Sequence, residues 1–158
     1  SDLESARLRE QGYRDALANA GIPFDPNLVQ AGEFRPAESA AAAARLLDQD
    51  PRPTAIFAAN DLSAIETMRV ARERGLSIPE DLSVVGFDNI PEAAQTSPPL
   101  TTVDQSIQRM GFEAVRMLVS LIRGEAGTPL RVTLPTELVI RQSCAPPPRP
   151  RRRRRSAA

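Results

Sequence analysis

Two short apolar segments separated by a helical pattern constrain the fold of this chain most strongly. Residues 54–59 and 82–87 are apolar with little alternation, which is typical of strands buried on both faces of a sheet. Between them, apolar residues recur at helical spacing until Gly75, a residue suited to a helix C-terminus. A helix joining two such strands is the crossover of a parallel sheet. The pattern therefore predicts an α/β fold with helices on both faces of a parallel sheet.

The remaining segments extend this alternation toward both ends of the chain. The predicted elements are helices over residues 2–20, 36–49 and 105–123, and extended segments or strands over residues 28–32, 100–103 and 131–141. Ser1 and Glu4 have the spacing of a capping box at the start of the first helix. Because the pattern begins on a helix, we expect the first strand of the sheet to lie upstream of this sequence.

Missing residue types exclude several kinds of chemistry. The sequence has no His, no Lys and no Trp, and Cys144 is its single cysteine. Cys/His zinc sites, Ser-His-Asp and Cys-His nucleophiles, Schiff-base lysines and the lysine of a phosphate-binding loop are therefore excluded. Carboxylate acid–base chemistry stays open in principle, but no paired motif points to it. We expect a protein that is not an enzyme and that carries no metal or other cofactor.

Charge is unevenly distributed, although 20 basic residues balance 20 acidic ones. Every basic residue is Arg, and six of them are Arg149 and the run 151–155; residues 1–148 keep 14 Arg against 20 acids, a net charge of −6. Such a body is a poor match for a phosphate backbone. The composition predicts a domain over residues 1–143 and a disordered Pro/Arg-rich tail over residues 144–158. Without an apolar run of membrane-spanning length or a signal-peptide profile, we expect a cytoplasmic protein that makes no membrane contact.

Polar side chains follow several predicted strands at their carboxyl ends. The groups are Glu33 with Phe34, Asn60 with Asp61, and Asp88 with Asn89. Ligands of open α/β sheets bind at this edge, where amides and carboxylates suit a polyhydroxylated or nucleoside-like molecule. Structural explanations stay open: Asp61 is expected to be the cap of the following helix, and Asp88-Asn89 is also a common turn composition. Spacing alone predicts a small-molecule-binding α/β domain.

Five segments together resemble the LacI/GalR family of bacterial transcriptional regulators. They are S-A-R-L-R-E-Q-G-Y at residues 5–13, P-T-A-I-F-A-A-N-D at 53–61, I-P-E-D-L-S-V-V-G-F-D at 78–88, P-L-T-T-V at 99–103 and L-P-T-E-L-V-I-R-Q-S at 134–143. The resemblance covers residues 1–143 in order and without large gaps. It implies a periplasmic-binding-protein-like I fold, mostly its C-terminal lobe and incomplete at the N-terminus.

The resemblance also implies a function and partners. The expected function is binding of a small-molecule effector, a sugar or a nucleoside-like compound, by the sensing part of a cytoplasmic repressor. Such regulators act as homodimers and reach operator DNA through an N-terminal helix-turn-helix that this sequence does not contain. The alternative is the sugar-binding protein of an ABC transporter, which shares the two-lobe fold.

The resemblance finally implies six ligand contacts. Two come from the first helix, two from strand ends, one from an aromatic ring that stacks on a sugar, and one from a segment crossing between lobes. In that order they are Ser5 and Arg9, Asn60 and Asp88, Phe34, and Gln105.

Overall fold

The computed structural model describes residues 4–33, 35–125, 127 and 131–147. Its helices are α1 (Glu4–Asn19), α2 (Pro36–Leu47), α3 (Asp61–Glu73) and α4 (Ile107–Ile122), with short 3-10 turns at Pro26–Leu28 and Pro91–Ala94. Its strands are β1 (Ala55–Phe57), β2 (Ser83–Asp88), β3 (Thr101–Asp104) and β4 (Glu137–Val139).

The four strands form one sheet in the order β1-β2-β3-β4. β1, β2 and β3 are parallel, and β4 pairs with β3 in the antiparallel sense. In this register Phe57 lies beside Val85, and Asp88 beside Asp104. The predicted α/β fold is confirmed, and its parallel strands bring their carboxyl ends to one edge.

The core lies on the side of the sheet that α2 and α3 cover. Ile56 and Val84 of neighbouring strands pack with Met68 and Ala71 of α3 in one buried cluster. On the opposite side, α1 lies over Phe57, Val85 and Phe87, but none of its described residues is buried. The two faces of the sheet are therefore unequally covered.

The strand predicted over residues 28–32 is not formed. Asp25 accepts a hydrogen bond from the amide of Asn27 and caps a 3-10 turn that ends at Leu28. Val29 has extended backbone angles, but no strand of the described sheet pairs with this segment. The prediction was wrong because an extended conformation becomes a strand only when a neighbouring strand satisfies its backbone groups.

The last strand is shorter than predicted. Within residues 131–141, only Glu137–Val139 pairs with the sheet, from Asp104↔Glu137 to Thr102↔Val139. The strand beside it, β3, has only four residues. The other residues of the predicted strand therefore have no neighbouring strand with which to pair. Pro135 also lacks an amide donor. The alternation of apolar and polar side chains indicated an extended backbone, but it carried no information about the length of the neighbouring strand.

The helix predicted over residues 105–123 begins two residues late, at Ile107. Asp104 Oδ1 accepts a hydrogen bond from the amide of Ser106, whose φ is 55°. This local bond holds the chain outside the helical region before α4 starts.

Past the predicted domain boundary at 143, Ala145 still exchanges hydrogen bonds with Ser83. Residues 148–158 of the predicted tail lie outside the described part of the chain.

We predict that Gly86→Ala lowers the stability of the chain by about 1–3 kcal/mol. A Cβ at residue 86 would overlap Asp61 Oδ1 and lie 3.0 Å from Leu100 Cδ2. Gly12→Ala on α1 is the control, since a Cβ there meets nothing within 4 Å and should stabilise the helix. Thermal unfolding of the three proteins tests this, and equal midpoints for Gly86→Ala and the parent chain would contradict it.

Candidate functional site

Three of the predicted ligand contacts converge at the carboxyl edge of the sheet. Gln105 Nε2 donates a hydrogen bond to Asp88 Oδ1, and Arg9 Nη2 lies 3.9 Å from the same oxygen. The side chains of Arg9 and Asp88 are only 15% and 21% exposed. The structure thus joins α1, the end of β2 and the segment after β3 around one carboxylate.

An aromatic ring holds Arg9 in place. Its guanidinium carbon lies 4.0 Å from the centroid of the Phe87 ring, a cation–π contact. Between α1 and the sheet lies a hollow that Arg9 and Phe87 line together with Phe57 and with Ser5, one turn earlier on α1. The hollow therefore combines apolar ring surface with the Arg9 guanidinium, which links it to Asp88.

The carboxylate of Asp88 is held in an unfavourable state. Burial raises the pKa of Asp88, and the negative charge of Asp61 adds to this; the Arg9 guanidinium and the Gln105 hydrogen bond oppose it without cancelling it. The backbone of Asp88 also has φ 119°, a value that residues other than glycine rarely adopt. Strained backbone and a raised carboxyl pKa in one residue are typical of functional sites.

Asn60, which follows β1, lies at the same edge of the sheet as Asp88, the last residue of β2. The register places Phe57 beside Val85, so the third residue after each is at the same height of the sheet. The Oδ1 atom of Asn60 accepts a hydrogen bond from the amide of Ser63, at 2.9 Å, and caps α3. Phe34, the remaining predicted contact, lies outside the described residues.

Asp61 is not the helix cap that the sequence predicted. Asn60 is the cap, and Asp61 is completely buried as the first helical residue. Its Oδ1 accepts a hydrogen bond from the Thr102 hydroxyl at 2.5 Å, and its Oδ2 accepts one from the amide of Ile90 at 2.9 Å. The prediction failed because Asn and Asp have similar capping preferences, and the backbone decides which of two neighbours takes the role.

A second network that the sequence did not predict fixes the residue after Asp88. Arg141 donates to Asn89 Oδ1 and to the carbonyl of Leu100, both at 2.7 Å. Asn89 Nδ2 in turn donates to Asp104 Oδ2 at 3.1 Å. Asn89 has φ 58°, a conformation that Asn tolerates better than most residues. The Asp88 loop is thereby tied to β3 and to the segment after β4.

The residue types of the cluster suit a polar organic ligand. Within residues 4–33, 35–125, 127 and 131–147, no three His, Cys, Asp or Glu side chains are grouped so that they could hold a metal ion. Two donors around one carboxylate, beside an aromatic face, can instead bind hydroxyl groups and pack on an apolar ring surface.

Comparison with known proteins identifies the fold family. The model of the periplasmic binding protein-like domain matches residues 1–144. The chain belongs to this family. The matched span of the periplasmic binding protein-like domain includes all six predicted ligand contacts.

Relatives of this periplasmic binding protein-like domain are transcriptional regulators. The HTH-type transcriptional regulator CelR of Thermobifida fusca is 42% identical over 142 residues, 90% of this chain and 42% of CelR. A solved CelR–cellobiose complex has a TM-score of 0.80 and 44% identity, covering 85% of this chain and 41% of that one. A LacI-type regulator from Bifidobacterium animalis subsp. lactis DSM 10140 has a TM-score of 0.84 and 34% identity, covering 92% and 52%.

These matches confirm the resemblance to LacI-type regulators. They favour the sensing domain of a regulator over the transporter alternative, and the proteins they name are regulators rather than enzymes. The chain spans less than half the length of CelR. Among the described residues, no helix is long and apolar enough to cross a membrane.

We predict that Asp88→Asn stabilises the chain in a pH-dependent manner. Because the folded-state pKa of Asp88 lies above the ordinary value of 3.8, the folded state binds the proton more tightly. That contribution favours folding below pH 3.8 and disappears as the pH rises through the folded-state pKa. The melting temperature of Asp88→Asn minus that of the parent should therefore increase from acid to neutral pH.

Asp15→Asn is the matched control, because Asp15 is an exposed carboxylate on α1. Asparagine also relieves the backbone at residue 88, but that gain is independent of pH. A melting-temperature difference that stays constant across the titration would show that Asp88 is not destabilised by its charge.

Proposed function

We propose that this domain senses a small polar effector, a sugar or a nucleoside-like compound, for a DNA-binding transcriptional regulator. The observation that carries the proposal is the cluster of Arg9, Asp88 and Gln105 at the carboxyl edge of a parallel sheet. Ligands of open α/β sheets bind at that edge. The membership of the chain in a family of binding domains supports the same conclusion.

The groups in the cluster have complementary roles toward such a ligand. The Asp88 carboxylate accepts hydrogen bonds from ligand hydroxyls, whereas Arg9 and Gln105 donate to ligand oxygens or ring nitrogens. Phe57 and Phe87 offer apolar surface to one face of a sugar ring. Ser5, Asn60 and Phe34 complete the proposed contact set. Cellobiose, which the solved CelR complex contains, makes a disaccharide the first candidate.

Regulation requires a partner surface and a DNA-reading unit. With a net charge of −6 over residues 1–148, the domain does not itself suit operator DNA. In the proposal a helix-turn-helix joined to this domain binds the operator, and the regulator is a cytoplasmic homodimer that reads two related half-sites. Effector binding then changes operator affinity by a coupling of about 1–3 kcal/mol.

We predict that Asp88→Ala weakens effector binding about ten- to hundredfold, since a charged hydrogen bond in a largely buried site is lost. The 158-residue chain is titrated calorimetrically with cellobiose, a sugar phosphate and a purine nucleoside. Asp15→Ala is the control and should bind like the parent. Equal affinity of Asp88→Ala and the parent for the compound that binds would refute the assigned site, and binding of none of the three would refute the proposed ligand class.

We predict that the chain binds duplex DNA only weakly, without sequence preference and through the Arg run. Removing residues 149–158 should abolish this binding and leave effector affinity unchanged, because the removed segment contains no predicted ligand contact. Raising the salt concentration should weaken the binding steeply, as counterion release requires. Mobility shifts at two salt concentrations measure this, and sequence-specific, salt-resistant binding would contradict it.

A further inference from the structure

Two hydrogen bonds join the ends of β2 and β3 at the cluster of Arg9, Asp88 and Gln105. Asp88 and Asp104 lie beside each other in the register of these strands. Across this pair, Asn89 Nδ2 donates to Asp104 Oδ2, and Gln105 Nε2 donates to Asp88 Oδ1. Each strand end therefore supplies one carboxylate and, one residue later, one amide. We call these two hydrogen bonds the reciprocal bridges.

Arg141 sets the direction of the bridge between Asn89 and Asp104. Its Nη2 donates to Asn89 Oδ1 at 2.7 Å, while Nδ2 of the same amide faces Asp104 at 3.1 Å. A guanidinium only donates hydrogen bonds, and a carboxylate only accepts them. The Asn89 amide satisfies both neighbours in one orientation alone, with its oxygen toward Arg141 and its NH₂ group toward Asp104.

The Arg141 side chain projects from a segment that is fixed to the core of the sheet. Its Nη1 donates to the carbonyl of the fully buried Leu100 at 2.7 Å, so the guanidinium is held at two points. The backbone amide of Arg141 donates to Thr101 Oγ1 at 3.0 Å. Two residues later, the buried Ser143 hydroxyl accepts from the amide of Thr101 and donates to the carbonyl of Val84. The position of the guanidinium is therefore well defined.

Asp104 connects the two reciprocal bridges. Its Oδ2 accepts the hydrogen bond from Asn89, and its Oδ1 accepts one from the amide of Ser106 at 2.6 Å. Gln105 lies between Asp104 and Ser106, so this carboxylate fixes the backbone from which the Gln105 side chain reaches Asp88. The orientation of the Asn89 amide thereby determines where the Gln105 amide points.

The loop after β2 depends on such contacts because its backbone is strained. Asp88 has φ 119° and Asn89 has φ 58°. Residues keep such conformations only where the surrounding structure holds them. Asp61 holds the loop at the amide of Ile90, and Arg141 holds it at the Asn89 side chain.

We propose that Arg141 is a positioning residue of the effector site, which aims Gln105 at Asp88 through the Asn89 amide and Asp104. This inference rests on the proposed function, because it takes the cluster at Asp88 to be the place where the effector binds. Arg141 acts by orienting its neighbours and does not itself touch the effector. A residue beyond the last strand thus sets the hydrogen-bond geometry of a site built on α1, β2 and β3.

Three single variants of the 158-residue chain test the direction of these hydrogen bonds. Arg141→Met keeps the apolar length of the side chain and removes its donors. Arg74→Met is the control, since Arg74 makes two hydrogen bonds to Asp48 at the C-terminal ends of α2 and α3. Asn89→Asp leaves Arg141 an acceptor but removes the donor that faces Asp104. Asp tolerates the positive φ of residue 89 as Asn does.

A double variant, Asn89→Asp with Asp104→Asn, exchanges donor and acceptor. The amide introduced at residue 104 can donate to the carboxylate introduced at residue 89, which still accepts from Arg141. The oxygen of that amide can still accept from the backbone of Ser106. The net charge equals that of the parent chain, so this variant restores the bridge in the reverse direction.

Hydrogen exchange of the Gln105 side-chain amide, followed by NMR at neutral pH, is the measurement. Exchange should be about tenfold faster in Arg141→Met and in Asn89→Asp, because the bond to Asp88 is released. It should be unchanged in Arg74→Met and slow again in the double variant. The backbone amide of Val84, in the core, is the internal reference in each spectrum. Dividing by its rate removes any change in overall stability.

Two results in the free chain would overturn the proposal. One is a Gln105 exchange rate in Arg141→Met that equals the parent rate after this correction. The other is an exchange rate in the double variant that remains as fast as in Asn89→Asp, since a bridge of either direction should then hold Gln105.

Titration with cellobiose separates this inference from the proposed function. The Kd for cellobiose should rise about fivefold in Arg141→Met and stay unchanged in Arg74→Met. A Kd that Arg141→Met leaves unchanged while Asp88→Ala raises it would overturn the positioning role. Cellobiose binding that Asp88→Ala leaves unchanged would instead refute the assigned effector site, and the Gln105 exchange rates of the free chain would still decide whether Arg141 orients Gln105.

Discussion

The buried carboxylate of Asp61 holds together the parts of the molecule that carry the candidate site. It ties the start of α3 to β3 through Thr102 and to the loop after β2 through Ile90. A buried charge is tolerated only while its donors stay in place, so these three segments are fixed relative to one another. Gly86 provides the space for this arrangement. The loop that carries the strained backbone of Asp88 is therefore anchored to the core two residues later, at Ile90.

Sequence reasoning succeeded where the signal was local to a segment. Residues 54–59 and 82–87 were predicted to be strands because burial on both faces leaves a continuous apolar run, and β1 and β2 lie within them. Residues 28–32 have a similar composition and form no strand, because pairing depends on what stands beside a segment in the sheet. The predicted strand over residues 131–141 was too long for the same reason. It pairs with β3, and because β3 has only four residues, only three residue pairs form between the two strands.

The candidate site was predictable only in part. The family resemblance brought Arg9, Asp88 and Gln105 together before any geometry was known, and the structure places them in contact. The contacts that support the cluster could not be predicted from the sequence, because they join distant residues: Arg141 and Asn89 are 52 positions apart. Capping statistics do not distinguish two adjacent residues that both cap well. Supporting interactions depend on the complete fold, whereas the proposed ligand contacts lie within or beside short motifs.

Asn60 gives the edge of the sheet a chemical polarity. Its Oδ1 accepts a hydrogen bond from the amide of Ser63, so one of its two lone pairs is used in capping α3, while its NH₂ group has two N–H donors. At this position the proposed site therefore offers two donors and one remaining acceptor lone pair. A ligand with several hydroxyl, carbonyl or unprotonated ring-nitrogen acceptors uses both donors, whereas an ammonium group or a ring N–H has only the single lone pair to bind. In the proposed site, the same amide that begins α3 thus favours ligands that present acceptors.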